Sequence, residues 1–206
     1  MKLNEHGLLI VISGPSGVGK GTVRKALFEM EGHDLVYSIS MTTRPKREGE
    51  VDGVDYFFVS VEEFEKRIKE GKFLEYAKFV GNYYGTPKDK IDEQLAKGKE
   101  VVLEIEVQGA NQVREKAKDA VFIFIAPPSR DSLYRRLIRR GTENKKAIQK
   151  RMDKANREFP LAHQYDYIVV NDEVRNAADR IMAIIRAEHA KTRRAIYKYK
   201  EMLEVK

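Results

Sequence analysis

The run Gly14-Pro15-Ser16-Gly17-Val18-Gly19-Lys20 has the G-x-x-x-x-G-K spacing of a loop that cradles phosphate. Its glycines let successive backbone N–H groups turn inward onto an anion, and a helix starting there adds the positive end of its dipole. Lys20 then supplies a point charge for the outer phosphates. One position departs from the pattern. Gly21 follows the lysine where a Ser or Thr hydroxyl usually meets magnesium, and the hydroxyl comes one place later, at Thr22. Magnesium is therefore expected to reach such a site through phosphates, water and a nearby carboxylate.

A second group of residues points to another anion. Ser40, Thr42, Thr43, Arg44 and Arg47 lie close together, followed by Gly49, Glu50, Gly53 and Tyr56. Two guanidiniums three residues apart can fork around one phosphate, and Tyr56 and Tyr84 can donate hydroxyls to it. Glu75, in FLEYAKF, is an acid among aromatics. One carboxylate can accept two N–H bonds at once, which matches the N1–H and N2–H edge of guanine and nothing on adenine. Taken singly, the arginines also read as a solvated basic loop and Glu75 as a surface strand residue. A third group, Arg135, Arg136, Arg139, Arg140 and Arg151 with Lys145, Lys146 and Lys150, is by itself a solvated helix face or a nucleic-acid patch. Beside a phosphate loop it has a third use, because phosphoryl transfer needs charge stabilisation and exclusion of water more than covalent help.

Elements must hold these groups in place. GLLIVIS, Gly7–Ser13, is a continuous apolar run, as in a parallel strand buried on both faces, and VRKALFEM, Val23–Met30, has helical spacing. Strand, glycine turn and helix open a βα unit. The spacing predicts further strands at Val101–Val107, Val121–Ala126 and Tyr165–Asp172, and helices at Val61–Gly71 and Ile91–Gly98. Helical spacing also runs through Ser129–Arg157, hinged at Gly141, and from Val174 to about Lys200. The polar, aromatic stretch 38–89 reads as short strands and loops. Alternating strands and helices argue a parallel sheet covered on both faces.

Composition removes several classes. The chain of 206 residues is long enough for one sizeable core. With no Cys there are no disulfides, thiolate zinc sites or Cys nucleophile, and the four His have no ligand spacing. Apolar runs such as Leu8–Ile12 fall far short of the about 20 residues of a membrane span, and MKLNEHG has no apolar leader core, so a cytoplasmic protein is expected. The net charge of +7 favours anionic partners without choosing among them. The basic end Lys191–Lys200 reads as a solvated helix end, and no nucleic-acid partner is expected, since no aromatic-basic module accompanies it. Oligomeric state is not legible.

The order S-x-S-x-T-T-R-x-x-R-x-G-E-x-x-G-x-x-Y-x-F over Ser38–Phe58 resembles the monophosphate signature of guanylate kinases. GNYYGT (Gly81–Thr86), LEIEVQG (Leu103–Gly109), RRGTE (Arg139–Glu143) and IVVND (Ile168–Asp172) are similar to further segments of that family. The resemblance covers about residues 8 to 190. It implies a three-layer α/β P-loop core (1–37, 90–127 and 158–206), an inserted mixed-β GMP-binding segment (38–89) and a helical lid (128–157). It implies transfer of the γ-phosphoryl of ATP to GMP with Mg2+. Residue by residue, Gly14 to Thr22 and Asn171 would bind ATP. Arg44, Arg47, Tyr56 and Tyr84 would hold the GMP phosphate, and Ser40, Glu75, Thr86 and Glu106 would read guanine. Glu104 would stand near magnesium through water. Lys20, Arg44 and the lid arginines Arg136, Arg140 and Arg151 would act on the moving phosphoryl group. Many family members carry Asp, Asp and Ser where this chain has Glu104, Glu106 and Thr86. A guanylate-kinase-like module that binds protein without catalysis is the reading from a different class, and the intact phosphate loop argues against it.

Overall fold

The computed structural model describes residues 6–139 and 145–196. β1 (Leu9–Ser13) is buried along its whole length. Ile10 and Ile12 face one layer of side chains and Leu9 and Val11 the other, so the sheet is covered on both faces. The chain passes through the glycine loop into α1 (Lys20–Phe28) and then β2 (Leu35–Tyr37). Residues 41–87 form β3 (Met41–Thr42), β4 (Phe57–Phe58), α2 (Val61–Lys69), β5 (Phe73–Phe79) and β6 (Asn82–Pro87). There follow α3 (Lys88–Ala96), β7 (Glu100–Glu104), α4 (Val107–Lys116), β8 (Val121–Ala126), α5 (Arg130–Arg139) and α6 (Lys145–Glu158). A 3-10 turn (Phe159–Gln164), β9 (Tyr167–Val170), α7 (Val174–Ala190) and α8 (Thr192–Ala195) complete the described chain.

The two sheets differ in size and kind. One has the order β2-β7-β1-β8-β9 with every pairing parallel. α1 and α7 supply Val23, Leu27, Ile181 and Ile185 to one face, and α3 and α4 supply Ile91, Leu95, Val107 and Val113 to the other. The second sheet, β4-β3-β6-β5, is mixed, with β3 parallel to β4 and antiparallel to β6. Its buried core is small: Met41, Phe64 and Phe73, with Phe64 stacked on Phe73 at 4.3 Å and on Tyr83 at 5.2 Å. At the β9 edge of the large sheet Ile168 and Val170 are exposed. There Arg180 of α7 donates to the Val170 carbonyl (2.8 Å) and pairs with Asp172.

The α/β fold with its parallel sheet agrees with the sequence reading, and five local departures correct that reading. The strand expected to run to Val107 stops at Glu104, and Val107 opens α4, for which no helix was expected. The strand β2 was also not expected. α1 begins at Lys20, three residues before the apolar periodicity, because its cap is the loop glycine itself. The terminal helix breaks at Lys191, whose ψ of 133° leaves the helical region, and resumes as the short α8. Gly141 and the end of the basic C-terminal stretch lie outside the described residues. No helix among the described residues is long and apolar enough to cross a membrane.

Candidate active site

The phosphate loop leaves the C-terminal end of β1 between β8 and α1. At Gly14 (φ 146°) a Cβ would stand 2.3 Å from the Ile125 carbonyl oxygen of β8. At Gly19, the α1 cap in the left-handed region (φ 92°), it would stand 2.7 Å from Asn171 Nδ2. Both positions therefore require glycine, for backbone conformation and for space. The loop is braced by groups far away in sequence. Asn171 Nδ2 donates to the Val18 carbonyl (2.7 Å), and its Oδ1 is buried with no protein partner. Arg136 Nη1 donates to the same carbonyl (3.0 Å) and Nη2 to the Asn171 carbonyl (2.7 Å). Arg151 Nη2 donates to Ser16 Oγ (2.7 Å). Two of the three expected lid arginines thus already touch the loop; the third, Arg140, lies outside the described residues. Gly17, Gly19, Thr22, Arg136, Arg139 and Asn171 line an opening of about 330 Å³ beside it.

Lys20 Nζ, with only a tenth of its side chain exposed, donates to the carbonyls of Gly14 (2.7 Å) and Pro15 (3.3 Å). It also lies 3.6 Å from the carboxylate of Glu106, the N-cap of α4. Glu106 accepts in turn from Lys154 Nζ of α6 at 2.7 Å. Burial pushes the Glu106 carboxyl up, but Lys20 and Lys154 outweigh it and hold it below the ordinary value. Beyond Lys154, the buried Glu158 is pushed up by burial. Glu104, at the end of β7, is held by Arg24 Nε at 2.9 Å, and its carboxylate lies 3.6 Å from where a Gly21 Cβ would stand. The guanidinium of Arg24 in turn covers the Tyr37 ring at 4.2 Å.

On the smaller sheet, β3, β4 and β6 bring Arg44, Tyr56 and Tyr84 together. The two tyrosine rings meet edge to face at 6.1 Å, with the Arg44 guanidinium 5.4 Å from the Tyr56 ring centre. Arg44 Nη1 and Nη2 donate to the two oxygens of Glu50 (3.0 and 2.7 Å), and Nη1 also donates to the Pro45 carbonyl (2.7 Å). Arg47 contributes its backbone N–H to Glu50 Oε2 (2.8 Å), while its side chain is exposed. The bond from Arg44, then that from the Arg47 backbone, pull the Glu50 carboxyl below its ordinary value. Ser40 is half-buried, and its carbonyl accepts from the Phe57 N–H at 2.9 Å.

Glu75 is a buried residue of β5, not a surface one. It pairs across the sheet with Thr86, whose hydroxyl donates to Glu75 Oε1 at 2.7 Å. Its Oε2 lies 3.0 Å from where a Gly109 Cβ would stand, so a side chain at Gly109 would push the carboxylate off the first turn of α4. Burial raises the Glu75 carboxyl against the Thr86 bond and the charge of Lys116. The site thus gathers Lys20, Ser16, Asn171, Arg136 and Arg151 at one end, Arg44, Tyr56 and Tyr84 at the other, and Glu75 with Thr86 between strands. Sequence reasoning gave no role to Glu50, Lys154 or Arg24. Glu50 lies inside the quoted signature and could have been found there. Lys154 and Arg24 meet carboxylates 48 and 80 residues away, which no local pattern shows.

A buried parallel strand that delivers G-x-x-x-x-G-K into a helix, braced by arginines from a later helical segment, defines a P-loop α/β protein. The comparisons are narrower. The sequence model described as guanylate kinase matches residues 6–188. A guanylate kinase of Onion yellows phytoplasma (strain OY-M) is 64% identical over 99% of this chain and 97% of its own. One from Streptococcus pyogenes serotype M3 is 55% identical over 98% of this chain and 96% of its own. The crystal structure of guanylate kinase from Anaplasma phagocytophilum superposes with a TM-score of 0.70 at 38% identity, covering 92% of this chain and 89% of that one. The chain belongs to the guanylate kinase family.

Proposed function

We propose that this enzyme transfers the γ-phosphoryl group of ATP to GMP, giving ADP and GDP. The observation that carries the reading is the buried Glu75–Thr86 pair on the same small sheet as the Arg44–Tyr56–Tyr84 cluster. A carboxylate held inside the protein costs stability even when it is partly hydrogen-bonded, and a group kept at such a cost marks a candidate functional residue. Accepting the two N–H groups of guanine is work that only a carboxylate at this position does. Ser40 and Glu106 complete the guanine side of this reading, and Arg44, Arg47, Tyr56 and Tyr84 take its phosphate. Gly14 to Thr22 take the triphosphate, and Asn171 stands beside adenine with a buried acceptor unspent. Lys20, Arg136, Arg140 and Arg151 neutralise the moving phosphoryl group, and no general base is needed.

Mg2+ is part of the reading, as a hard cation that takes oxygen ligands. Glu104, beside Gly21, is a fitting carboxylate. Among the described residues no three His, Cys, Asp or Glu side chains cluster to hold a metal. The residues therefore fit an ion that arrives on the triphosphate and meets the protein through water and Glu104. When bound it would neutralise phosphate charge. Segments 38–89 and 128–157 act in this reading as a GMP-binding unit and a lid on the core formed by 1–37, 90–127 and 158–206; the separate small core of the first supports that division. A cytoplasmic setting is part of the same reading. An assay of ADP release offering GMP, AMP, UMP and CMP separately with ATP and Mg2+ tests the reading. GMP is expected to be turned over at least about 100-fold faster in kcat/KM, the discrimination a site that bonds substrate donors gives. Comparable use of AMP would refute it.

A further inference from the structure

In the loop of the small sheet, Glu50 bonds the Arg44 guanidinium end-on. A guanidinium has five N–H donors in a fixed plane. In Arg44 three are committed: one from each Nη to the two oxygens of Glu50, and the other Nη1 hydrogen to the Pro45 carbonyl. A carboxylate that takes one hydrogen from each Nη nitrogen occupies the end of the plane. The donors outside these three bonds are Nε–H and the second Nη2–H, which together form the side-on fork, and the Tyr84 hydroxyl adjoins the same guanidinium. Glu50 also accepts the Arg47 backbone N–H, so the carboxylate is itself tied to the loop that carries both arginines. Only a fifth of the Glu50 side chain and an eighth of that of Arg44 are exposed.

Resting on the reading that GMP places its phosphate at Arg44, we infer that Glu50 is a positioning residue for that substrate. It locks the end of the Arg44 plane so that the side-on fork faces the phosphate together with Tyr84. A bidentate fork binds phosphate well only when its plane is aimed, and a long arginine otherwise loses rotamer entropy on binding. Glu50 spends that entropy before the substrate arrives. A monoanionic carboxylate on the end edge also leaves the side edge cationic enough to attract a phosphate, since the charge sits on the far side of the plane.

The test uses Glu50→Gln, Arg44→Met and the double variant in the full chain, with dissociation constants for GMP, guanosine and ATP. Guanosine shares the base and lacks the phosphate. Glu50→Gln is expected to weaken GMP about 10- to 100-fold, the usual loss for charge-assisted bonds, with guanosine and ATP within about twofold. The double variant is expected to match Arg44→Met alone, because Glu50 acts through that side chain. Glu50→Asp, charged but one methylene short, should fall between wild type and Gln. Unchanged GMP affinity would overturn the inference. So would tighter GMP binding, which would make Glu50 a competitor for the fork, an equal loss of guanosine, which would make it a structural loop residue, or multiplying losses in the double variant. If Arg44→Met itself leaves GMP unaffected, the placement of the phosphate at Arg44 fails instead.

Discussion

The two anion sites of this enzyme are built in opposite ways. The phosphate loop sits on the large core, and the side chains that brace it, Arg136, Arg151 and Asn171, come from 118 to 153 residues away. At the Arg44 site the bonds are local: Glu50 is six residues from Arg44 and three from Arg47. The strands beneath it, β3 and β4, are two residues long, and the buried core under it has three side chains. Asn171 braces the loop from the large core, while Arg136 and Arg151 brace it from α5 and α6. A site seated over a small buried core opens at lower cost than one seated on a large one. The difference teaches that, in the proposed reading, the two substrates would meet different mechanical partners: ATP a loop seated on the large core, and GMP a segment with a small core of its own.

The largest effect is expected from Lys20→Ala. Removing a fixed charge aimed at the transferring group should lower kcat by about 10³-fold, with the fold unchanged because Lys20 fills no core. Near-normal kcat in the purified variant would dismiss the loop from catalysis. Next, Phe64→Ala should destabilise by about 3 kcal/mol and should do so locally. GMP affinity and hydrogen-exchange protection of β5 and β6 should fall while ATP affinity and protection of β1 and β8 hold. Equal losses at both sites would erase the contrast.

Glu75→Gln should cost about 1.5–3 kcal/mol in kcat/KM for GMP, because a donor NH₂ then faces a guanine donor and a charge-assisted bond is lost. ATP affinity should not move. Burial makes the folded chain bind the Glu75 proton at higher pH than the unfolded chain, so ionised Glu75 subtracts stability at neutral pH. The same variant should therefore melt at, or about 2 °C above, the wild-type Tm. A lower Tm would mean the carboxylate is structural.

The smallest effect is the pH dependence of base recognition, read with guanosine to leave out the phosphate's own titration. As pH falls toward the carboxyl range, Glu75 should protonate first, because its pKa is raised, while Glu50, whose pKa is lowered, stays ionised. Guanosine binding should weaken at a pH where the Arg44–Glu50 pair is intact. Flat guanosine binding through that range would detach Glu75 from the base.

The same contrast governs what could be read in the sequence. The phosphate loop is contiguous, so its seven residues announce it, and β1 and β8 announce themselves by continuous apolar runs. The helix α4 was hidden because its first turn, Val107-Gln108-Gly109, carries a β-branched residue and a glycine, both poor helix formers. The glycine is there because Glu75 packs against it. β2 was hidden because three half-exposed residues give no period to detect. At the site, Arg44, Tyr56, Tyr84 and Glu75 could be nominated from residue type. The bond of Glu106 to Lys154, and Arg151 reaching Ser16, depend on how α6 folds back over the loop, which no spacing in the chain encodes.

The large sheet ends at the edge strand β9, where Ile168 stands more than half exposed. Such an edge is a template on which another copy's strand could zip. Arg180 occupies the Val170 carbonyl and is itself held by Asp172, whose carboxyl it pulls down to about 2. The Asp172 carboxylate therefore stays ionised, and available to Arg180, through the ordinary carboxyl titration range. A pair that adds little to the fold of one molecule sets, at the rim of the sheet, a charge that any neighbouring strand would have to displace before it could reach the Val170 carbonyl.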